Sequence, residues 1–114
     1  MDKRITFRGT PHSQAIENYA NEQLAKIELF LENESSPIYI NLMLEPSKVH
    51  AHHKVTLLVK SPRYDLVSDY EGPDFYLVLN RVIDVMYDQL CQAKRKIVDS
   101  RKKMSKTEDF ENNE

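Results

Sequence analysis

A dense run of basic residues near the carboxyl end is the part of this chain best suited to bind a ligand. Residues 94–106 contain seven lysines and arginines and one acidic residue, Asp99, which gives a local charge of +6. The whole chain has a net charge of −2, and residues 107–114 carry four carboxylates. Electrostatic attraction acts over about one Debye length, roughly 10 Å at 0.1 M salt, so a local positive run attracts phosphate even in an acidic protein.

Two interpretations of this basic run are open. Basic side chains in the last turns of a helix interact favourably with its dipole, and a solvated helix end needs no ligand. Seven cations are more than are needed to interact with the helix dipole. The second interpretation is therefore a basic stripe that binds nucleic-acid phosphate without recognising the base sequence. The residues of the run from which we expect RNA contacts are Lys94, Arg95, Lys96, Arg101, Lys102 and Lys103.

Catalytic and metal-binding chemistry has little support in the sequence. His50, His52 and His53 lie together, but no spacing motif adds the further ligands that a zinc site needs. Cys91 follows an apolar position of a predicted helix, which is typical of a residue at the edge of a core. We therefore expect no enzyme activity, no metal and no cofactor.

Composition limits the class of protein further. The chain has 114 residues, of which 40% are hydrophobic and 30% charged, as in one ordinary globular domain. Two glycines exclude a P-loop or a dinucleotide-binding fingerprint. No apolar run approaches the ~18 residues of a membrane span, and the first residues lack a signal-peptide core. A single cysteine fits a reducing compartment, so we expect a cytoplasmic protein.

The spacing of apolar residues predicts six elements. Alternate apolar positions predict strands, and spacings of three and four predict amphipathic helices. Thr10-Pro11 is a start signal for the first helix, and Gly72-Pro73 opens the second, with Asp74 in its first turn. The predicted strands are residues 4–8, 38–44, 49–60 and 64–69, and the predicted helices run from 11 to about 32 and from 73 to about 103.

This order, β-α-β-β-β-α, predicts an α+β fold. Two helices with one apolar stripe each can cover one face of a four-stranded sheet. The strands that flank the first helix should be parallel, and the later strands antiparallel. Residues 1–104 are expected to form this domain and residues 105–114 a disordered acidic tail. The open sheet face is expected to carry Tyr39, Asn41, His50, His52, Lys54 and Thr56.

Short pieces in a consistent order also match a known family. They are Ile5-Thr6-Phe7, Leu24-Ala25-Lys26-Ile27-Glu28, Asp74-Phe75-Tyr76, Asn80, Ile83, Gln89-Leu90, Lys94 and Lys96. By their order and spacing the chain resembles, from residue 3 to about 104, the ribosome hibernation-promoting factor family, also called ribosome-associated inhibitor A or protein Y. That family usually has Asp-Met-Tyr where this chain has Asp74-Phe75-Tyr76.

The resemblance implies both a fold and a partner. The fold would be similar to a double-stranded RNA-binding domain. The partners would be the small ribosomal subunit, through its 16S rRNA, and the 70S ribosome. Such a protein binds the decoding channel of the 30S subunit, blocks transfer RNA and messenger RNA, and silences the ribosome in stationary phase or stress. We expect no membrane partner, no small-molecule substrate and a monomer when the protein is free.

The chain departs from the family on the exposed faces of its helices. Gln23, Leu29, Val85 and Asp88 stand where the family commonly has lysine or arginine. RNA binding is therefore expected to depend on Lys26 together with the basic helix end. The acidic tail resembles that of the short type, so we expect a single-domain member without the further domain by which longer members pair ribosomes into dimers.

A second class of function is open. Members of this family have been described as sigma-54 modulation proteins, and the open sheet face is a candidate surface for a protein that regulates transcription. Binding to RNA polymerase or a sigma factor that is insensitive to RNase and salt would favour this alternative.

Overall fold

The computed structural model describes the backbone of residues 1–47 and 51–113, and the side chains of this part as far as Val98. Six elements follow one another along the chain. They are β1 (Asp2–Phe7), α1 (Gln14–Leu31), β2 (Tyr39–Pro46), β3 (His53–Lys60), β4 (Asp65–Gly72) and α2 (Phe75–Asn113). The predicted β-α-β-β-β-α order is therefore confirmed.

The four strands form one sheet in the order β1-β2-β3-β4. β1 and β2 are parallel, with α1 as the connection between them, and the two later pairs are antiparallel. Both helices cover the same face, so the alternating strand residues on that face are buried. Leu42 lies opposite Leu57 in this layer, and both side chains are fully buried.

The predicted apolar stripes of the helices form the other half of the core. On α1 the buried side chains are Ala20, Leu24, Ile27 and Leu31, at spacings of four, three and four. On α2 they are Val78, Leu79, Val82, Ile83, Met86 and Leu90, and Ala93 and Ile97 pack against the same core at its edge. Ser68 is buried among them, and its hydroxyl donates to the carbonyl oxygen of Val82 at 2.9 Å.

The first helix begins later than the Thr10-Pro11 signal predicts. Its N-cap is Ser13, whose side-chain oxygen accepts from the backbone N–H of Ile16 at 3.3 Å. Glu17 follows in the first turn, where a carboxylate favours the helix dipole. Both Thr10 and Ser13 can cap a helix, and Ser13 is the one three residues before the first apolar position of the stripe.

The second helix also begins with a cap. Asp74 was predicted inside the first turn, but its Oδ1 accepts from the N–H groups of Tyr76 and Leu77, at 3.0 and 3.4 Å, from just before the helix. Gly72 ends β4 immediately upstream, and a Cβ atom there would lie 3.1 Å from Cγ2 of Val78. A glycine at this position therefore allows the close approach of β4 to α2.

Two other predicted boundaries differ from the structure. β3 begins at His53 rather than at residue 49, because the Ser47 N–H donates to the His52 carbonyl and closes the connection at this point. Residues 48–50 lie outside the described residues. α2 continues as helix to Asn113, and neither glycine nor proline follows Pro73 to end it. The division into residues 1–104 and a tail at 105–114 stays a prediction.

Candidate nucleic-acid interface

The two helices lie side by side and run in the same direction. Tyr19 donates from its hydroxyl to Oδ1 of Asn80 at 2.7 Å, near the start of both helices. One to two turns further on, Lys26 Nζ lies 2.9 Å from Oδ1 of Asp84. Residue numbers rise together across this seam, so the carboxyl ends of α1 and α2 point the same way.

The seam continues toward the basic helix end through aromatic rings. Lys26 Nζ lies 4.8 Å from the ring centroid of Tyr87, and the Tyr87 ring meets Phe30 edge-on at 5.8 Å. Lys94 Nζ then lies 5.4 Å from the centroid of Phe30. Contacts of this kind attract a cation to the ring face and hold its methylene stem along apolar surface. Lys26 and Lys94 are thus positioned by one continuous row of side chains.

Three of the predicted RNA-binding residues lie on the solvent-exposed side of α2. Lys94, Arg95 and Lys96 are all exposed, while Ala93 and Ile97 on either side pack against the core. Successive residues of an α-helix are rotated by about 100°, so the three cations spread around the solvent side rather than along one stripe. Within the described part of the chain none of the three belongs to an ion pair.

Lys26, the fourth described candidate, is already paired. Its ammonium group is shared between the Asp84 carboxylate and the Tyr87 ring, with 46% of the side chain exposed. The sequence could not reveal this, because Asp84 lies 58 positions away. Lys26 can therefore bind a phosphate only in competition with Asp84.

The rest of the outer helix surface carries little positive charge. Leu29 points into solvent with 70% of its area exposed, and Asp88 is exposed, as the departures from the family pattern predict. Gln23 and Val85 are half-buried. Among the described side chains of the two helices, the cations without an ion pair are therefore Arg81, near the start of α2, and the three at residues 94–96.

Arg101, Lys102 and Lys103 continue the predicted site. The backbone of α2 is helical there, and their side chains lie outside the described residues. Their part in RNA binding stays a prediction.

The histidines and the cysteine are not brought together in the described part of the chain. The His53 ring is exposed and packs edge-on against Phe75 at 5.3 Å, and Cys91 is half-buried on α2. His50 lies outside the described residues. No three His, Cys, Asp or Glu side chains of residues 1–47 and 51–98 converge as metal ligands.

Comparison with known proteins identifies the family. Residues 4–98 match the family described as Sigma 54 modulation protein / S30EA ribosomal protein, and the chain belongs to that family. No curated protein matches by sequence. No helix in the described part of the chain is long and apolar enough to cross a membrane.

Solved structures share the fold. The Protein Y N-terminal domain of Thermus thermophilus superposes with a TM-score of 0.65 at 18% identity, over 79% of this chain and 96% of that one. A ribosomal subunit interface protein from Coxiella burnetii gives 0.65 at 19% identity, over 83% of this chain and 99% of that one. At this sequence identity the structural similarity shows a shared fold only. Membership of the family is shown by the match over residues 4–98.

Proposed function

We propose that this protein is a ribosome-associated translation inhibitor that works in the cytoplasm. It binds the small subunit through 16S rRNA in the decoding channel, on 30S and 70S particles. It excludes transfer RNA and messenger RNA there in stationary phase or stress. The family is one of ribosomal proteins by its description, and one relative of the same fold is a ribosomal subunit interface protein.

The observation that carries the proposal is the cluster Lys94, Arg95 and Lys96. These three side chains are exposed, and none of them has an acidic partner in the described part of the chain. When an unpaired lysine or arginine neutralises a phosphate, the counterions condensed on the RNA are released. Such residues therefore increase the affinity for RNA and also make it depend on salt concentration. Lys26 contributes less, since its phosphate contact must displace Asp84.

Sedimentation with purified 30S and 70S particles at two salt concentrations tests the proposal. The protein should sediment with the particles at low salt and dissociate as salt rises. Replacing Lys94, Arg95 and Lys96 together by Gln should weaken binding by about tenfold or more and make the log–log salt slope shallower by about two to three. Glutamine keeps helix propensity, so the melting temperature should hardly change.

The matched control removes three charges elsewhere. Arg8, Lys54 and Arg81 lie away from residues 94–96, and none is in an ion pair within the described residues. Their replacement by Gln should have a much smaller effect. Equal losses from both triple variants would mean that general charge drives association. A protein that stays at the top of the gradient at low salt would overturn the proposal.

The alternative is regulation of transcription through the open sheet face, and the family description also names sigma-54 modulation. Val67 and Tyr39 expose 53% and 48% of their area there. A pull-down dominated by RNA polymerase or a sigma factor, and unaffected by RNase and salt, would favour this alternative over ribosome binding.

A further inference from the structure

The face of the sheet away from the helices carries a depression of about 370 Å³ at the start of β2. Its volume falls at the lower end of the range of about 300–1,000 Å³ that is typical of small-molecule sites. The side chains that line it from the open face are Asp2, Arg4, Tyr39, Asn41, Leu58 and Lys60.

The register of the strands explains why these six side chains meet. Asp2 pairs with Tyr39, and Tyr39 with Lys60, so the three form one row across β1, β2 and β3. Arg4, Asn41 and Leu58 form the next row, two residues along each strand. Side chains two apart lie on the same face about 6.5–7 Å from each other, so the two rows border one shallow basin.

Tyr39 gives the basin a flat apolar wall. Its ring side chain is 48% exposed and makes no contact with another aromatic ring of the described residues. Tyr19, Tyr64, Tyr76 and Tyr87, by contrast, are all in ring contacts. An exposed aromatic ring on a sheet is a stacking surface for a base, because every base has a π-face.

Asn41 adds a polar group without a partner. Its Oδ1 atom is buried, yet it has no hydrogen-bond partner among the described residues. Buried acceptors are nearly always paired, and Asn41 lines the basin, so rotation of its carboxamide toward the basin lets a ligand donor satisfy a group that the fold leaves unpaired. The carboxamide presents its acceptor beside its donor, which is complementary to the paired donor and acceptor groups on a base edge.

The charges around the basin suit a phosphate. Lys60 is exposed and without an ion-pair partner among the described residues, and Arg4 reaches Asp2 only at 4.0 Å, the limit of an ion pair. Two cations and one carboxylate thus line the basin, and Asp65 lies next to Lys60 on the neighbouring strand. A protein partner would need far more apolar area than this basin offers, since stable interfaces bury about 800 Å² on each side.

We infer that this basin binds a nucleoside monophosphate unit, with the base stacked on Tyr39, the base edge hydrogen-bonded to Asn41, and the phosphate held by Arg4 and Lys60. The ligand is either a free nucleotide or one nucleotide of a single-stranded RNA. The site lies on the face opposite the helices and does not depend on the proposed contact of residues 94–96 with the ribosome.

Amide chemical shifts of the full-length ¹⁵N-labelled chain test the proposal in the absence of ribosomes. AMP should cause saturable shifts in β1, the start of β2 and the end of β3. Ribose 5-phosphate should bind at least about fivefold more weakly, because it lacks the base that stacks. Adenosine should also bind more weakly, because it lacks the phosphate. If a tetra-adenylate RNA binds more tightly than AMP, the ligand of the basin is a nucleotide within an RNA strand. If the two bind equally, the ligand is the free nucleotide.

Matched variants assign the contacts. Tyr39→Ala should weaken AMP binding about fivefold or more, and Tyr39→Phe should retain it, since stacking needs the ring and not the hydroxyl. Tyr70→Ala removes an equally exposed tyrosine from β4, so AMP binding should be unchanged. Lys60→Gln should weaken AMP binding, whereas Lys54→Gln, on the same strand but outside the basin, should not.

Several results would overturn the proposal. They are no saturable shift at millimolar AMP, equal affinity for ribose 5-phosphate and AMP, or AMP binding that survives Tyr39→Ala. A Tyr39-dependent protein partner found without any AMP binding would also overturn it. Sedimentation of Tyr39→Ala with ribosomes is a separate readout of the proposed function, and it should match the parent protein.

Discussion

The Nζ atom of Lys26 lies 2.9 Å from Oδ1 of Asp84 and links the two helices across their seam. Both side chains are about half exposed, at 46% and 62%. Ion pairs in such surroundings contribute about 0–1 kcal/mol to stability. The larger consequence is electrostatic, because Asp84 partly cancels a cation that the family resemblance assigns to RNA binding.

Replacing Asp84 by Asn should therefore strengthen ribosome binding. The change frees Lys26 to meet a phosphate, so the log–log salt slope should steepen by up to about one. The free energy of unfolding should fall by no more than about 1 kcal/mol. Sedimentation with 30S particles at several salt concentrations measures the first effect, and urea denaturation measures the second.

The control for this prediction is Asp65→Asn. Asp65 is exposed at the start of β4, in register with Lys60 on the sheet face away from the helices, and its replacement changes the net charge by the same amount. If Asp65→Asn strengthens binding as much as Asp84→Asn does, net charge alone explains the gain and Lys26 has no specific part.

The core provides a second prediction. Leu24 and Ile83 are 0% and 1% exposed between the helices and the sheet. Leu24→Ala or Ile83→Ala should each lower the free energy of unfolding by about 2–5 kcal/mol, through lost burial and the cavity left behind. Leu29→Ala on the same helix should change it by less than about 0.5 kcal/mol, since Leu29 is 70% exposed. A Leu24→Ala protein that melts like the parent would contradict the packing described.

The core was predictable from sequence because its signal is local and periodic. The stripe through Leu24 and Ile27 follows the 3.6-residue helix repeat, and the alternation of Val55, Leu57 and Val59 follows the strand repeat. The parallel β1–β2 pair followed from the crossover rule. Each inference needed only neighbours along the chain and a general rule of packing.

What sequence reasoning missed depends on contacts between distant segments. The Lys26–Asp84 pair and the Tyr39–Lys60 neighbours exist only once helices and strands are aligned. Val78 is buried although it lies at the edge of the α2 stripe, because β4 approaches it closely at Gly72. The start of α1 was misplaced for a different reason, since Thr10 and Ser13 are both competent caps and local pattern does not choose between them.

A third prediction concerns alkaline pH. Tyr64 is 2% exposed, and its hydroxyl oxygen accepts from Nη2 of Arg63 at 3.0 Å. Burial raises the pKa of Tyr64 above its ordinary value of 10.0. In the unfolded chain Tyr64 ionises first, so the unfolded state gains stability once the pH exceeds about 10. The contribution of Tyr64 to stability is complete below that pH and is lost as the pH rises toward the folded-state pKa.

Replacing Tyr64 by Phe removes this titration. Urea denaturation between pH 8 and pH 11 should then give a free energy of unfolding that falls less steeply above pH 10 than that of the parent. At pH 8 the variant should be less stable by about 1 kcal/mol, because the hydrogen bond from Arg63 is lost. Tyr70→Phe removes the hydroxyl of a half-exposed tyrosine and is the matched control for this substitution. Identical pH profiles for the Tyr64→Phe variant and the parent would exclude the proposed role of burial.

The last prediction concerns residues 107–114, which carry Glu108, Asp109, Glu111 and Glu114. Among the described side chains, Ile97 is the final one that packs against the core, so deleting this segment should leave the melting temperature unchanged. The sequence predicts narrow, random-coil amide signals for it, although the backbone of α2 is helical to Asn113, and dispersed, slowly exchanging signals would contradict the prediction from sequence. Its four negative charges follow a segment of +6 and should compete with RNA phosphate, so deletion should tighten 30S binding at low salt. A tail of the same length with the four carboxylates replaced by amides should bind like the truncated chain. If only the deletion has an effect, then length rather than charge is responsible.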